Sequence, residues 1–275
     1  MPSPIDQSSI ATPRSRPVYG RAGRIGLVVP ANNSVIEPEW WSVLPAGVAA
    51  YAARVMARGA LTHEAIERME RQVDRAVDEL AATGVDVIAY ADMVTTFIMA
   101  HDWNEQAMSK LSARTGVPCV SAWTALRDAL SALGIRRFAL GTPYPAAIHA
   151  LARPFFEAAG YTITADATLD ITQMAQVPCV DSAQLTQFVG TIAGGAPQAI
   201  VLLATDLPTF ACIESLEASY GCPVLSSNQS LLWATLRAAR ISAMPVHLGQ
   251  LVNCIHLQTS NSYAEADLMH RGSKP

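Results

Sequence analysis

Two segments of this chain recur in the same order, and that repeat limits the possible fold more than any other feature. IAYADMVTTF (88–97) aligns without a gap on VLLATDLPTF (201–210), pairing Ala91 with Ala204, Asp92 with Thr205 and Thr96 with Thr209. Further on, GVPCVSAWTALRDA (116–129) and GCPVLSSNQSLLWA (221–234) carry Gly, Pro, Ser, Leu and Ala at identical offsets. Two matches in fixed order imply two related units. The expected partition is a leader at 1–22, rich in Pro, Ser and Arg, and a first half-domain at 23–128 to which 235–256 returns. A second half-domain follows at 129–234, then a polar tail at 257–275 with a helix-like piece at 263–269.

Inside each unit, apolar runs alternate with helical patterns. Strands are expected at 24–29, 49–55, 85–90, 119–121, 137–141, 162–169, 199–203 and 224–226, mostly as continuous apolar runs suited to parallel strands buried on both faces. The clearest helix spans 62–82, where Ile66, Met69, Val73, Val77 and Leu80 fall on one face and Gly84 follows. Strand–helix alternation predicts an α/β fold, here two pseudo-symmetric half-domains with parallel sheets. The carboxyl ends of matching strands then face each other across an interdomain cleft, where open α/β sheets bind ligands.

Of the 275 residues, 51% are hydrophobic and 15% charged, the profile of a well-buried enzyme. A net charge of −4 with scattered basic residues gives no case for nucleic acid or an anionic membrane. No apolar run approaches the roughly 20 residues of a spanning helix. The five cysteines (Cys119, Cys179, Cys212, Cys222, Cys254) lack any CxxC spacing, and three of them neighbour Pro in text where a small buried thiol packs well. Without a signal-peptide pattern, a reducing cytoplasmic setting and a homo-oligomer are expected. His101, His149 and His247 show no metal-ligand spacing, and Walker A, GxGxxG and GxSxG are absent, so no metal and no cofactor are expected.

Candidate site residues cluster at strand ends. After the first strand, Asn32, Asn33 and Ser34 present amides, a hydroxyl and free N–H groups suited to a carboxylate, or simply an Asn-rich turn with a helix cap. Asp92 closes a buried strand ahead of Thr95 and Thr96. It reads either as a desolvated acid–base group or as the N-cap of a helix beginning near Met93. Thr205 and Asp206 open a helix with Pro208 in its first turn, Asp206 reading best as a cap and Thr205 as a cleft residue opposite Asp92. Tyr144 stands at a strand-to-helix turn, where its phenol can donate to a substrate oxygen. Ser226, Ser227 and Asn228 are cap-like and also suited to an anion.

Taken together, RIGLVVPANNSVIEPEW, GVDVIAYADMVTTF, TGVPCVSAWTALRDALSALGIRRFALGTPYP, VLLATDLPTF and YGCPVLSSNQSLLWATLR resemble the maleate cis–trans isomerase and arylmalonate decarboxylase branch of the aspartate/glutamate racemase superfamily. The likeness covers about 24–240 in order. It implies two Rossmann-like halves, cofactor-free chemistry, and a pair of thiols flanking the reacting carbon. The first thiol position falls on Asp92 and the second on Ala204 or Thr205, so both are replaced. Asn33, Tyr144 and the segment Ser226–Asn228 match the family's carboxylate grip. The resemblance therefore implies a lyase- or isomerase-type enzyme on a small carboxylate-bearing metabolite. Asp92 would be acid–base, with Thr205 and Tyr144 supporting it and Asn33, Asn32, Thr95, Thr96, Asp206, Ser226, Ser227 and Asn228 binding substrate. A hydrolase using Asp92 to activate water and a non-catalytic binding protein are the alternatives.

Overall fold

The computed structural model describes residues 17–57, 61–99 and 102–254. Most of the expected leader, the tail with its helix-like piece, and His101 lie outside the described residues. The first unit runs β1 (Gly23–Pro30), α1 (Ile36–Val43), β2 (Val48–Val55), α2 (His63–Glu70), α3 (Val73–Ala82), β3 (Val87–Tyr90), α4 (Thr95–Ile98), α5 (Trp103–Thr115), β4 (Cys119–Ser121) and α6 (Ala122–Ala132). The second runs β5 (Arg137–Thr142), α7 (Ala146–Ala158), β6 (Thr162–Thr168), a 3₁₀ turn (Met174–Cys179), α8 (Ser182–Ile192), β7 (Ala199–Leu202), α9 (Ile213–Tyr220), β8 (Val224–Ser226), α10 (Ser227–Ala238) and α11 (Gly249–Asn253).

Two four-stranded sheets result, ordered β2-β1-β3-β4 and β6-β5-β7-β8, and every pairing is parallel. Each order is the other advanced by four strands, so the sequence repeat is a repeat of topology. The central strands are apolar throughout because helices cover both faces, as in β3 and β7, where every residue is buried. Serines cap the last long helix of each unit alike: Ser121 on α6 and Ser226 on α10 each form a capping box with the residue three further on.

The ladder register moves the repeat by one residue. Tyr90 pairs with Ser121 and Leu202 with Ser226, so the strands match Asp92 to Ala204 rather than to Thr205. The second unit takes up its extra residue just beyond β7, where Ala204 adopts φ +93°. An L-residue there is strained and glycine is not. Ala204→Gly is therefore expected to be neutral or stabilising by up to about 1 kcal/mol, whereas Ala89→Gly in β3 should destabilise by about 1 kcal/mol. Urea denaturation of both variants checks the contrast, and equal losses would contradict it.

Four local expectations need correction. The helix expected over 62–82 is interrupted at Arg71–Gln72, because the Gln72 amide turns aside to bond the backbone N–H and carbonyl of Met56 beyond β2. The helix expected from Met93 begins at Thr95, and the one expected to open at Thr205 begins at Ile213, leaving 203–212 as a long turn. Cys119, Cys212 and Cys222 are buried, but Cys179 is exposed, since its 3₁₀ turn stands outside the sheet. Of the segment expected to return to the first unit, Ile241 packs on Gly23 at the start of β1. In contrast, α11 lies on α9 and β8 of the second unit, held by Gln250 N–H donating to Glu217.

Candidate active site

The turns after β1, β3, β5 and β7 converge on a cavity of about 240 Å³ between the two sheets. Asn32, Asn33, Asp92, Tyr144, Thr205 and Asp206 line it, together with apolar residues such as Leu61, Ile66, Met69 and Met174. No cysteine and no Lys, Arg or His is among the described residues that line it. No His/Cys/Asp/Glu cluster among the described residues is arranged to hold a metal. None of the described helices is long and apolar enough to cross a membrane.

Asp92 lines this cavity, and its Oδ1 accepts from Thr95 N–H at 2.8 Å at the first residue of the short α4. Burial pushes its pKa up, and hydrogen bonds from Thr95 and the Val94 N–H pull against that shift. Asp206 was expected to cap a helix; with no helix at that point, its buried carboxyl faces the cavity instead. Burial raises its pKa to about 7, with the Asp92 charge adding to the shift. One carboxyl thus comes from each unit, and the Asp92 charge is felt at Asp206. The Tyr144 phenol is buried beside them and held well above its usual range by burial, then by Asp206 and Asp92.

Thr205 is not free to act as a base. Its hydroxyl donates to the Ala91 carbonyl at 2.9 Å and accepts from Asn33 Nδ2 at 3.1 Å, tying the two units together. Asn33 Oδ1 in turn accepts from the N–H groups of Val35 and Ile36. Ser226, Ser227, Asn228, Thr95 and Thr96 do not line the cavity. Ser227 Oγ accepts from Ala204 N–H, Ser226 Oγ from Thr209 Oγ1, and Thr96 Oγ1 from Asn104 Nδ2. Their small polar side chains hold the turns that carry Asp92 and Asp206, rather than a ligand.

Sequence reasoning passed over Glu39. From α1 its carboxylate accepts from the N–H groups of Thr209 and Phe210 at 2.6 and 2.9 Å and from Asn228 Nδ2 at 2.7 Å. Burial raises its pKa, opposed by these hydrogen bonds. Asn228 Nδ2 also donates to the Thr205 carbonyl, so Glu39 fixes the turn bearing Thr205 and Asp206 from the facing unit. Glu70 was also passed over. Its carboxyl bonds the Tyr90 hydroxyl behind Asp92, and burial lifts its pKa to about 8.

These shifts predict a pH dependence of stability. Glu70 rises from 4.5 to about 8 and Asp206 from 3.8 to about 7, so across those windows the folded protein holds protons that the unfolded chain has released. The stability that each proton contributes is present below the window and is lost as pH rises through it. Unfolding free energy in urea is expected to be lower by a few kcal/mol at about pH 8.5 than at about pH 5.5, and Glu70→Gln should flatten the slope. A rise in stability over this range would contradict the assignment.

Residues 25–252 match the family described as arylmalonate decarboxylase. The chain belongs to the arylmalonate decarboxylase family. Within reach of this family, the chain is 26% identical over 243 residues to the maleate isomerase of Geobacillus stearothermophilus, covering 84% of this chain and 97% of that one. It is 26% identical over 217 residues to the arylmalonate decarboxylase of Bordetella bronchiseptica, covering 78% and 90%. Among solved structures, the Pseudomonas putida S16 maleate isomerase variant with maleate superimposes with a TM-score of 0.80 at 26% identity, covering 86% of this chain and 99% of that one. A Nocardia farcinica maleate cis–trans isomerase mutant with a covalently bound succinylcysteine intermediate gives 0.77 at 27% identity, covering 84% and 98%. This member of the arylmalonate decarboxylase family is accordingly an enzyme of the cofactor-independent isomerase and lyase type.

Proposed function

We propose that the enzyme moves a proton at a carbon beside a carboxyl or carbonyl group of a small substrate, through an enolate-like intermediate. Asp92 takes or gives the proton from one side of the carbon, and Asp206 faces it from the other. Support comes chiefly from two carboxyls, one per unit, in a single cavity without a cysteine. The resemblance implies a thiol pair at Asp92 and at Ala204 or Thr205, and the second carboxyl here follows one or two residues later, at Asp206. Both acids are displaced upward by burial, Asp206 to about 7, so one can be ionised while the other is protonated near neutral pH. Racemisation and isomerisation by proton shift need that division of roles, whereas decarboxylation needs only the proton donor, since loss of CO₂ itself forms the enolate.

Tyr144, buried beside the pair and held in its phenol form, is the donor for the oxygen on which enolate charge collects. Thr205 and Asn33 set the distance between the units rather than carrying protons. The succinylcysteine seen in the Nocardia relative has no counterpart in this reading, because no cysteine is among the described residues that line the cavity. Proton transfer through carboxyls replaces addition of a thiolate.

The test is to incubate the enzyme in D₂O with a panel of small unsaturated, 2-substituted and malonate-like acids and follow each carbon by NMR. Solvent deuterium entering a substrate carbon at an enzyme-dependent rate is the expected result. Turnover that leaves every carbon-bound hydrogen in place, with an amide or lactone cleaved, would replace this reading by hydrolysis.

A further inference from the structure

If Asp92 moves a proton at the substrate carbon, as proposed above, that proton must also be exchanged with water, and a row of polar groups outside the cavity can do this. Of Asp92, Thr95, Tyr90 and Glu70, only Asp92 is among the residues that line the cavity. Asp92, Thr95 and Tyr90 are buried, with 6%, 0% and 2% of their surface exposed, whereas Glu70 on α2 is half-buried and reaches solvent. The Tyr90 hydroxyl donates to the Glu70 carboxyl. At the other end, the Thr95 N–H donates to Asp92 Oδ1 at 2.8 Å. The Thr95 hydroxyl is buried with no settled hydrogen-bond partner among the described residues. Burial raises the pKa of both the Asp92 carboxyl and the Tyr90 phenol, and the Thr95 side chain pulls against that rise at each of them. A hydroxyl in that position can donate to one neighbour and accept from the other.

Charge links the two ends of the row. Burial lifts the Glu70 pKa to about 8, donation from Tyr90 opposes the rise, and the Asp92 charge adds to it. The coupling is reciprocal, so a proton taken up by Asp92 eases the release of one from Glu70. Neighbouring charges are engaged with one another. On α2 itself, Glu64 pairs with Arg68 and His63 with Glu67. On α3, Arg75 pairs with Glu79, and Asp74 and Asp78 with Arg114, while α4 carries no charged residue. The titratable groups that act on Glu70 among the described residues are thus Tyr90 and Asp92.

We propose that Glu70 is the proton reservoir of Asp92, reached through the hydroxyls of Tyr90 and Thr95, so that protons enter and leave Asp92 by a route separate from the cavity. As the substrate carbon–hydrogen bond breaks, its electron pair stays in the enolate and the proton passes to the Asp92 carboxylate. Loss of the Asp92 charge then favours ionisation of Glu70, which releases its own proton to water. The Asp92 proton next passes to the Thr95 oxygen as the Thr95 proton moves to the Tyr90 oxygen and the Tyr90 proton to the Glu70 carboxylate. Asp92 is again ionised and Glu70 again protonated. Run backwards, the same row supplies a solvent proton to Asp92. Glu70, Tyr90 and Thr95 touch no substrate and act through Asp92, as positioning residues.

Carboxyl ¹³C NMR titration of the full chain without substrate tests the link, with the Glu70 signal assigned by its loss in Glu70→Gln. The native Glu70 midpoint is expected near pH 8. In Asp92→Asn its proton affinity should fall about tenfold or more, because the neighbouring charge is gone. In Tyr90→Phe it should rise, because the phenol no longer donates to the carboxylate. A Glu70 midpoint that Asp92→Asn leaves in place would overturn the proposal, and this arm decides alone if Tyr90→Phe does not fold. A second arm follows deuterium entry from D₂O into the same panel of acids. Tyr90→Phe should lower exchange at least about tenfold with KM within about twofold of native. Undiminished exchange in a Tyr90→Phe variant that melts normally would also overturn the route. Native enzyme that exchanges no acid would instead remove the enolate chemistry, and the titration, which needs no turnover, would still decide the link between Glu70 and Asp92.

Discussion

Glu39→Ala is expected to destabilise the protein by about 3–5 kcal/mol, the largest stability loss of any single substitution at the site. The variant deletes the acceptor for the Thr209 and Phe210 N–H groups and one of two acceptors for Asn228 Nδ2. Buried donors left without partners account for most of the loss. Glu39→Gln keeps the shape. Its carbonyl can still serve the two N–H groups, so only the Asn228 Nδ2 contact is lost, and that donor keeps the Thr205 carbonyl. Gln should therefore cost less than about 1.5 kcal/mol. Urea denaturation at neutral pH measures both. Equal losses in Ala and Gln would mean that the charge rather than the hydrogen bonds holds the turn, and a loss under about 1 kcal/mol in Ala would remove Glu39 as the tie between the units.

The topology was legible because buried parallel strands write themselves as apolar runs, and β3 and β7 leave no polar residue to obscure them. The repeat disclosed the second unit, and the caps at Ser121 and Ser226 followed from the same text. What the text hid was tertiary. The break between α2 and α3 depends on Gln72 reaching Met56, a contact that helical periodicity does not encode. Asp206 looked like a cap because Thr-Asp-x-Pro is a good helix start, but the backbone turn at Ala204 carries it into the cavity. Thr205 looked like a cleft donor because the gap-free repeat set it opposite Asp92. A one-residue difference in register is invisible when both strands are equally apolar. Glu39 sits in an unremarkable helical stretch, and its partners lie about 170 residues away.

Asp92 was legible as an acid at a buried strand end, open to two readings, acid–base group or cap. The cap contact to Thr95 and the cavity-facing carboxyl belong to one side chain, so a substitution that keeps one and removes the other separates them. Asn retains an oxygen acceptor for the Thr95 N–H, fits the same volume and carries no charge to desolvate. The melting temperature of Asp92→Asn should therefore equal or exceed that of the native enzyme. The amide cannot accept or deliver the substrate proton, so kcat should fall by about 10²–10⁴.

The most direct measurement is the rate at which solvent deuterium enters the substrate carbon, followed by NMR in native enzyme and Asp92→Asn side by side, with melting curves on the same samples. The account predicts exchange lowered by about 10²–10⁴ in the variant at an unchanged or higher melting temperature. Exchange and turnover within a factor of about three of native, in a variant that melts normally, would show that Asp92 only caps α4 and would contradict the mechanism.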